Sequence, residues 1–413
     1  MRLLDRMLRR FVRTGSLTVI GPDGSREVHA GAPGPTVVIR LTDPALYRTL
    51  FFNPELKAGE AYMDGTLVVE QGSIRDLLMI FALNRDHLRS QPLQKAVRDT
   101  YKRLRKLGSR NTLTRARSNV AHHYDLSNEL YRLFLDDDLH YSCAYFLSPD
   151  DTLEVAQRNK LRHIAAKLDL KPGQRILDIG CGWGGMALYL AEVADVDVVG
   201  VTLSVEQHAL ATERAQARGL SGRVSFELKD YRDVQGPFDR IVSIGMFEHV
   251  GVSQHQEFFA KVANLLTDDG AALIHTIGRM GGPGSISPWF RKYIFPGAHV
   301  PAVSEFSAAA ESAKLWITDI EILRRHYAET LVHWEARFSA QRAGAEAMFD
   351  ARFCRMWEFY LIAGEIGFRY GKQMVIQMQL AKSAAALPIT RDYLGIAETA
   401  LRSRESALPN GRA

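Results

Sequence analysis

Short apolar runs alternate with longer amphipathic segments through the middle of the chain. The runs have the length of strands, and the longer segments carry apolar residues at the three- and four-residue spacing of a helix. The predicted strands are Arg175–Gly180, Val196–Leu203, Val224–Lys229, Asp239–Met246 and Ala271–Ile277. The helices predicted near them include Met186–Ala194, Val205–Arg218 and His255–Leu266. This alternation predicts a doubly wound α/β domain with a mostly parallel sheet.

The pattern changes after this region. Trp316–Leu323 has the pattern of a strand, Ala345–Tyr370 that of one long helix, and Gln373–Leu380 that of a last strand. This ending fits a sheet that is closed by an antiparallel pair. Ligands of such sheets bind at the carboxyl ends of the parallel strands, so chemistry is expected there.

Residues 16–90 carry a weaker, mixed pattern that predicts a small α+β domain. Its predicted strands are Leu17–Ile20, Thr36–Leu41 and Thr66–Val69; its turns are Pro22–Gly24 and Gly59–Gly65; its helices are a stretch opened by Asp43-Pro44 and Ser73–Asn84. The predicted divisions are an N-terminal domain at 1–90, a basic helical linker at 91–118, a second domain at 119–400 and a polar C-terminal tail at 401–413.

Charge changes this picture at two places. The formal net charge is only +5. However, the arginines from Arg2 to Arg13 interleave with apolar residues, which predicts a short basic amphipathic helix suited to an anionic membrane surface. A second basic run extends from Arg98 to Arg117. The alternative for each run is a solvated helix face, and nucleic acid is the competing partner.

Cysteine usage and hydropathy bound the compartment. Cys143, Cys181 and Cys354 are far apart in the sequence and form no CxxC pair. This argues against a disulfide framework or a zinc site and favours a reducing cytosol. No apolar run reaches the roughly twenty residues that span a bilayer. The basic N-terminus is not followed by the apolar core of a signal peptide, so a cytoplasmic protein is expected.

Candidate chemistry begins where the first predicted strand ends, at Ile176–Gly185. Gly180, Gly182 and Gly184 alternate there, and glycine both adopts positive φ and lets a ligand approach the backbone. The next helix directs free N–H groups at the same place. The spacing differs from that of a dinucleotide fingerprint and fits the methionine part of S-adenosylmethionine better than a pyrophosphate. Asp178 could hold an ammonium group or orient the loop; a structural turn is the alternative.

The other strand ends bring polar side chains to the same edge. Thr202 and Ser204 follow the second strand, where many nucleoside-binding folds place an acidic residue; Ser204 is equally explained as a helix cap. Asp230-Tyr231 follows the third strand and offers an acceptor and a flat face for adenine, or a capped turn. Glu248-His249 follows the fourth strand, and ionisable groups at such a lip favour function over structural pairing. His275 lies at the end of the fifth strand. A lone histidine there is more often structural, but the convergence of three strand ends on one crevice favours function.

Several motifs stand in a specific order: His123–Ser127, Tyr141–Phe146, Ile176–Gly185, Gly200–Ser204, Phe247–His249, Ile294–Gly297 and Phe359–Leu361. With them, the chain resembles the cyclopropane-fatty-acid-phospholipid synthase family of S-adenosylmethionine-dependent methyltransferases, which includes the mycolic acid cyclopropane synthases. The resemblance covers about Val120–Lys382. It implies a Rossmann-like class I methyltransferase sheet, and it makes the second domain the catalytic one.

The resemblance also implies partners. The N-terminal domain is similar to the lipid-binding domain of the longer members, which act on phospholipids. The implied protein is a homodimer in the cytoplasm, associated peripherally with the inner face of the cytoplasmic membrane. Its implied partners are membrane phospholipids at an anionic bilayer surface and no nucleic acid.

The implied reaction is methyl transfer to a cis double bond of a phospholipid acyl chain, followed by proton loss and closure of a cyclopropane ring. Bicarbonate is the implied base, with the implied catalytic set Cys143, Glu248, His275, the backbone of Ile277, and Tyr360. The implied cofactor contacts are Tyr141, Ser142, Asp178, Gly180, Gly182, Gly184, Thr202, Leu203, Ser204, Gln207, Tyr231 and Arg232. Neither a metal ion nor covalent thiol chemistry is expected.

Some members carry a cysteine near the end of the last strand, where this chain reads Gln377–Leu380, so no C-terminal thiol is given a role. Cys354 is most simply a core residue.

Three other functions stay open. The first is the same lipid chemistry with a methyl-branched or methylene fatty acid as the product. The second is a nucleic acid methyltransferase, which is disfavoured because the turn at Gly245–Glu248 lacks the Asn/Asp-Pro-Pro-Tyr pattern of that class. A non-catalytic lipid-binding protein is the third alternative.

Overall fold

The computed structural model describes residues 2–85, 87 and 128–408. Its internal contacts divide the chain into two units. Unit 1 comprises 1–109, 286–296 and 331–372, and unit 2 comprises 110–285, 297–330 and 373–413, so far as these are described. The predicted linker at 91–118 and the motif His123–Ser127 lie outside the described residues. The predicted domain boundaries stay predictions, although 331–372 group with N-terminal residues rather than with the rest of the second domain.

The elements follow one another in this order along the described chain. The strands are β1 (Thr14–Ile20), β2 (Arg26–Ala30), β3 (Ala32–Leu41), β4 (Leu67–Gln71), β5 (Arg175–Ile179), β6 (Asp197–Thr202), β7 (Val224–Leu228), β8 (Phe238–Ile244), β9 (Leu266–Arg279), β10 (Trp316–Ile322) and β11 (Gln373–Ala381). The helices are α1 (Arg2–Phe11), α2 (Leu46–Phe52), α3 (Pro54–Met63), α4 (Ile74–Leu83), α5 (Asn128–Arg132), α6 (Leu153–Lys167), α7 (Gly185–Ala194), α8 (Val205–Ala217), α9 (His255–Leu265), α10 (Pro288–Tyr293), α11 (Val303–Ser312), α12 (His326–Ala340), α13 (Arg342–Met348), α14 (Ala351–Arg369) and α15 (Asp392–Ser406).

Unit 1 contains a four-stranded sheet in the order β2-β1-β3-β4. The predicted turn at Pro22–Gly24 is present, but it leads into β2, an unpredicted and largely polar edge strand antiparallel to β1. The turn predicted at Gly59–Gly65 is wrong over most of its length, because α3 continues through Gly59 to Met63. A Cβ at Gly59 would lie 2.5 Å from the Trp289 ring, so this glycine permits close packing.

The N-terminal helix α1 buries the apolar face that the sequence assigned to a membrane surface. The buried residues of this face are Leu4, Met7, Leu8 and Phe11. The ring centroids of Phe11 and Phe81 lie 5.1 Å apart. Arg6, Arg9 and Arg10 are exposed, and Arg9 pairs with Asp5 and Glu27. Because this face belongs to the core of unit 1, it is not exposed to a bilayer. Binding of α1 to an anionic membrane surface stays a prediction.

Unit 2 contains a seven-stranded sheet in the order β10-β11-β9-β8-β5-β6-β7. The five strands from β9 to β7 in this order are parallel, whereas β11 is antiparallel to both β9 and β10. The predicted α/β class, the mostly parallel sheet and its antiparallel closing pair are confirmed. The strand order reverses between β5 and β8, and such a switch point opens a crevice at the carboxyl ends of the strands.

Two helices of unit 2 were not predicted, because their polar residues hide the pattern. Helix α6 is buried along most of its length. Helix α15 continues to Ser406, so residues 401–406 of the predicted polar tail are helical. Arg162 on α6 pairs with Glu405 on α15, and both side chains are buried. A charged residue near the C-terminus is thus held by a partner far away in sequence.

The single helix predicted at Ala345–Tyr370 in unit 1 is two helices, α13 and α14. The break falls at Asp350, whose side chain accepts from the N–H of Phe353 and caps the second helix. Among the described residues, no helix combines the length and the apolarity that crossing a membrane requires.

The packing of α1 predicts different effects for its leucines. Leu8 is 4% exposed and Leu3 is 58% exposed. Leu8→Ala should lower the free energy of unfolding by about 2–4 kcal/mol because it leaves a cavity. Leu3→Ala should change it by less than about 0.5 kcal/mol. Urea unfolding of both variants checks this; equal effects would contradict the burial of this face.

Candidate active site

A cavity lies at the carboxyl ends of the central strands of unit 2. The predicted cofactor residues that line it are Tyr141, Ser142, Asp178, Gly180, Gly182, Thr202, Leu203, Gln207, Tyr231 and Arg232. Gly184 and Ser204 are adjacent to this lining but do not belong to it. Residues from four separate segments thus meet where the sheet changes direction, as the strand-end argument predicted.

The glycine loop after β5 brings backbone close to this cavity. Gly180, Gly182 and Gly184 all have positive φ, at 81°, 54° and 83°. A Cβ at Gly180 would lie 2.7 Å from the Cβ of Met246, and a Cβ at Gly184 would lie 2.6 Å from the ring of Phe226. At Gly182 a Cβ would meet no atom of the described residues within 4 Å. Two glycines therefore serve packing, and the middle one leaves backbone open to a ligand.

The end of β6 is a hydrogen-bonded turn. Thr202 Oγ1 donates to Gln207 Oε1 at 2.9 Å and accepts from the N–H of Ser204 at 3.2 Å. Ser204 Oγ accepts from the N–H of Gln207 and caps α8. The structural interpretation of Ser204 is therefore confirmed, and this cap orients Thr202 and Gln207 at the cavity.

The end of β7 carries a ring and a cation that are already held in place. Both Arg232 Nε and Nη2 donate to the Asp230 carboxylate at 2.8 Å. The Arg232 guanidinium lies 5.6 Å from the centre of the Tyr231 ring. Asp230 also caps the turn Tyr231–Asp233. The flat face predicted for adenine is thus fixed by an ion pair within the turn.

Two buried charges face the cavity without forming an ion pair. Asp178 Oδ2 finds no hydrogen-bond partner in the part of the chain that the structure describes. Burial raises the pKa of Asp178 to about 7, and the Lys160 charge opposes this rise. Lys160 is 1% exposed and donates to Ser142 Oγ at 3.1 Å. Burial lowers the pKa of Lys160 to about 8. An acid and a base at one cavity match a zwitterionic ligand.

Glu248 and Ile277, two of the predicted catalytic residues, are in direct contact. The N–H of Ile277 donates to Glu248 Oε1 at 2.5 Å. Glu248 Oε2 has no partner among the described residues. Burial raises the pKa of Glu248 to about 7, although the hydrogen bond from Ile277 lowers it. The Ile277 N–H, predicted to donate to an ion, thus orients a carboxyl group whose other oxygen is available.

Cys143 and His275 are also buried in unit 2. The Cys143 thiol donates to the carbonyl of Ala144 at 3.3 Å, and burial raises its pKa, so it is no thiolate. Burial, with the Lys160 charge, lowers the pKa of His275 to about 3, so its ring is neutral. Tyr360 lies on α14 in unit 1, where its ring contacts the rings of Phe290, Phe295 and Trp357. Within the described residues, no group of His, Cys, Asp and Glu side chains could hold a metal ion.

Comparison with known proteins places this site in a family. The family described as mycolic acid cyclopropane synthetase matches residues 111–378. The chain belongs to this family. Cyclopropane-fatty-acyl-phospholipid synthase of Escherichia coli K12 is 40% identical over 336 residues, which are 80% of this chain and 84% of that protein.

Two further relatives extend the comparison. Tuberculostearic acid methyltransferase UfaA1 of Mycobacterium tuberculosis is 35% identical over 395 residues, which are 92% of this chain and 91% of that protein. The crystal structure of mycolic acid cyclopropane synthase CmaA1 complexed with SAH and CTAB superposes on this chain with a TM-score of 0.61 and 34% sequence identity. The match covers 64% of this chain and 98% of the CmaA1 chain. The chain is therefore an S-adenosylmethionine-dependent methyltransferase with the class I sheet that the motifs implied.

Sequence reasoning missed several residues of this methyltransferase's cavity, among them Lys160 and His140. His140 Nδ1 lies 2.7 Å from Asp136 Oδ2, and a Cβ at Gly185 would lie 2.4 Å from His140 Nε2. The ring therefore packs against the first residue of α7. The sequence offers little signal for Lys160. Its position is buried only because of tertiary contacts, and without them a lysine in a helix is expected to be solvated.

The burial of Glu248 predicts a pH-dependent difference in stability. Its pKa is raised in the native protein, so between about pH 4.5 and pH 7 the native state holds a proton that the unfolded chain has released. The contribution of Glu248 to the free energy of unfolding therefore falls as the pH rises from about 4.5 to about 7. Glu248→Gln keeps an acceptor for Ile277 and cannot ionise. Its stability relative to the wild type should rise by up to about 3 kcal/mol from pH 4.5 to pH 7.

Urea unfolding of both proteins at several pH values measures this difference. The comparison cancels other groups that titrate equally in the two proteins. A difference that stays constant across the window would show that Glu248 ionises normally in the native state.

Proposed function

We propose that this methyltransferase converts the cis double bond of unsaturated acyl chains in membrane phospholipids into a cyclopropane ring. The observation that carries the proposal is the buried Glu248, with one oxygen bonded to the Ile277 N–H and the other unpartnered among the described residues. A carboxyl group that is held in one orientation and has a raised pKa is suited, in its protonated form, to holding a small oxyanion base. The similarity to an enzyme named cyclopropane-fatty-acyl-phospholipid synthase supports phospholipids as the lipid class.

The cavity fits S-adenosylmethionine as the methyl donor. The unpartnered Asp178 oxygen suits the ammonium group, and Lys160 suits the carboxylate of an amino acid. The open space at Gly182 admits the amino acid part of the ligand, and the Tyr231 ring offers a face for its nucleobase. When bound, this cofactor supplies a methyl group on a sulfonium. The protein's own contribution is to fix that group in line with a weak nucleophile.

Methyl transfer leaves a carbocation on the acyl chain, and loss of a proton closes the ring. The protein must keep water from this cation, and the near-complete burial of Cys143, Glu248 and His275 serves that need. Bicarbonate, when bound, would supply the oxygen base. Glu248 would anchor it through Oε2, because a protonated carboxyl does not repel an anion. His275 would donate to it, Cys143 would contact it, and Tyr360 stays a predicted donor.

A methyl-branched product is the second candidate. It is favoured by the similarity to an enzyme named tuberculostearic acid methyltransferase. The two reactions share the donor, the double bond and the first cation. They differ in whether that cation loses a proton or accepts a hydride, which a separate reductant would have to supply. The buried acid of Glu248 favours the ring, because reduction of the cation needs no base.

Lipid analysis with a labelled methyl donor tests the product. The enzyme is expressed in a host that lacks such activity and grown with methionine carrying a trideuterated methyl group. A ring retains two of the deuterium atoms, since one leaves as the proton, whereas a methyl branch formed by direct hydride addition to the cation retains all three. A methyl branch formed by reduction of a methylene intermediate retains two, but its saturated chain carries two more hydrogen atoms than the ring and differs from it in mass. A methylene product also retains two, but ozone cleaves its double bond and leaves a ring intact. Lipids with three retained deuterium atoms alone would overturn the ring.

Glu248→Gln is the matched variant for the chemistry. It should abolish the labelled product while leaving the dissociation constant for S-adenosylhomocysteine unchanged, because Glu248 is not part of the cavity lining. Asp178→Asn should instead weaken that binding. Calorimetry of both variants separates the two roles. Loss of S-adenosylhomocysteine binding in Glu248→Gln would place Glu248 with the cofactor.

We also propose that unit 1 binds anionic membranes through its exposed arginines. Arg6, Arg10 and Arg13 are exposed, and the apolar face of α1 is not available. Binding should therefore be electrostatic and should weaken with salt. The variant carrying both Arg6→Gln and Arg10→Gln should reduce co-sedimentation with anionic vesicles by about fivefold per arginine.

Arg9→Gln is the control for this prediction, since Arg9 is already paired with Asp5 and Glu27 and should contribute less. Vesicles of a zwitterionic phospholipid provide the second control. Binding that is indifferent to salt and to anionic lipid would overturn an electrostatic role of α1.

A further inference from the structure

Three polar residues lie directly opposite one another on neighbouring strands of unit 2. Glu321 on β10 is paired with Gln377 on β11, and Gln377 is paired with His275 on β9. Directly opposed residues project from the same face of a sheet. We name Glu321, Gln377 and His275 the cross-strand row. It connects a predicted catalytic histidine with a segment, Gln377–Leu380, to which the reaction assigns no role.

The last residue of α6 joins the row. Lys167 Nζ donates to Gln377 Oε1 at 2.8 Å and pairs with Glu321. An ammonium group has donors only, so the carbonyl oxygen of Gln377 must face Lys167. The amide nitrogen of Gln377 then faces His275, and its distance to Nδ1 is 3.2 Å. Lys167 thereby determines which end of the amide the histidine meets.

The amide nitrogen of Gln377 is also a donor only, so His275 Nδ1 must be its acceptor. A neutral imidazole with an acceptor at Nδ1 carries its proton on Nε2. The ring is neutral because burial, reinforced by Lys160 and Lys167, lowers the pKa of His275. The hydrogen-bond geometry therefore determines the tautomer of this ring, and burial keeps the ring neutral.

We propose that Gln377 and Lys167 are positioning residues that hold His275 in the Nε2-protonated tautomer, with Nε2–H available to donate to an oxyanion. This inference rests on the proposed function, in which His275 donates to the base. The opposite tautomer would present a lone pair, which repels an oxyanion. An amide at position 377 performs this task because it accepts on one side and donates on the other, which a thiol or a carboxylate cannot do in the same way.

The far end of the row keeps Lys167 in place. Glu321 Oε2 lies 2.7 Å from His163 Nε2, and Glu398 Oε1 lies 2.6 Å from His163 Nδ1. Although burial alone would lower it, these two hydrogen bonds raise the pKa of His163. Positive and negative groups thus alternate from Glu398 to Lys167. This arrangement stabilises the ammonium group that orients the amide.

The test is the tautomer of His275 in the full-length protein, observed by NMR with ¹⁵N-labelled histidine. Its signals are assigned as those missing from His275→Asn. Long-range ¹H–¹⁵N correlation distinguishes a protonated from an unprotonated ring nitrogen. The wild type should show Nε2 protonated and Nδ1 bare between pH 6 and pH 9. In Gln377→Glu, the new carboxylate accepts a hydrogen bond, so Nδ1 should become protonated.

Gln379→Met is the matched control. Gln379 lies two residues further along β11 and is also buried, but it donates to the carbonyl of Lys167 at 2.5 Å and to the Tyr393 hydroxyl. Its loss should leave the tautomer unchanged. Gln377→Glu should lower kcat for lipid methylation by about 10- to 100-fold, the scale for removing a group that orients a functional histidine. It should leave the dissociation constant for S-adenosylhomocysteine unchanged.

Two results would overturn the inference: protonated Nδ1 in the wild type, or an unchanged ring in Gln377→Glu. If the His275 imidazole has the expected tautomer but the protein forms no cyclopropane lipid, the positioning role is supported and the proposed function is overturned. If the protein forms cyclopropane lipids while the His275 imidazole has the other tautomer, only the positioning role is overturned.

Discussion

Desolvation of ionisable side chains at one edge of the seven-stranded sheet governs the chemistry of this protein. Asp178, Lys160, Glu248 and His275 are all nearly inaccessible to water. Burial penalises the charged form of each, so the pKa values of the acids rise and those of the bases fall. Such groups persist in a protein interior when a ligand or a reaction uses them. Asp178 and Lys160 line the cavity that suits a zwitterion, whereas Glu248 lies outside that lining and suits a small base.

The sheet and its turns make this placement possible. Phe247 is fully buried against the rings of Phe258, Phe259 and Phe306. This packing anchors the turn that carries Glu248, and the turn presents the carboxyl group to the Ile277 N–H on β9. The same strand holds His275 opposite Gln377. Backbone register, which hydrogen bonds along whole strands maintain, therefore sets distances that flexible side chains alone would not keep.

Much of this architecture was predictable from local pattern. The alternation of strands and helices, the mostly parallel sheet and the glycine loop all follow from residue spacing within short windows. The order of the motifs along the chain indicates the family without any tertiary contact. Several errors share one cause. Gly59 was taken for a turn, and α6 and α15 were missed, because each depends on contacts with residues distant in sequence.

The sequence by itself therefore determined the fold class, the location of the cofactor crevice and the identity of most polar residues around it. Only the tertiary structure decided how those residues are paired. It joined Glu248 to Ile277, placed Lys160 beside Ser142 and aligned Gln377 with His275. The physical reason is that hydrophobic periodicity is a local property of the chain. A buried charge, in contrast, is stabilised by partners that are distant in sequence and come together only in the folded protein.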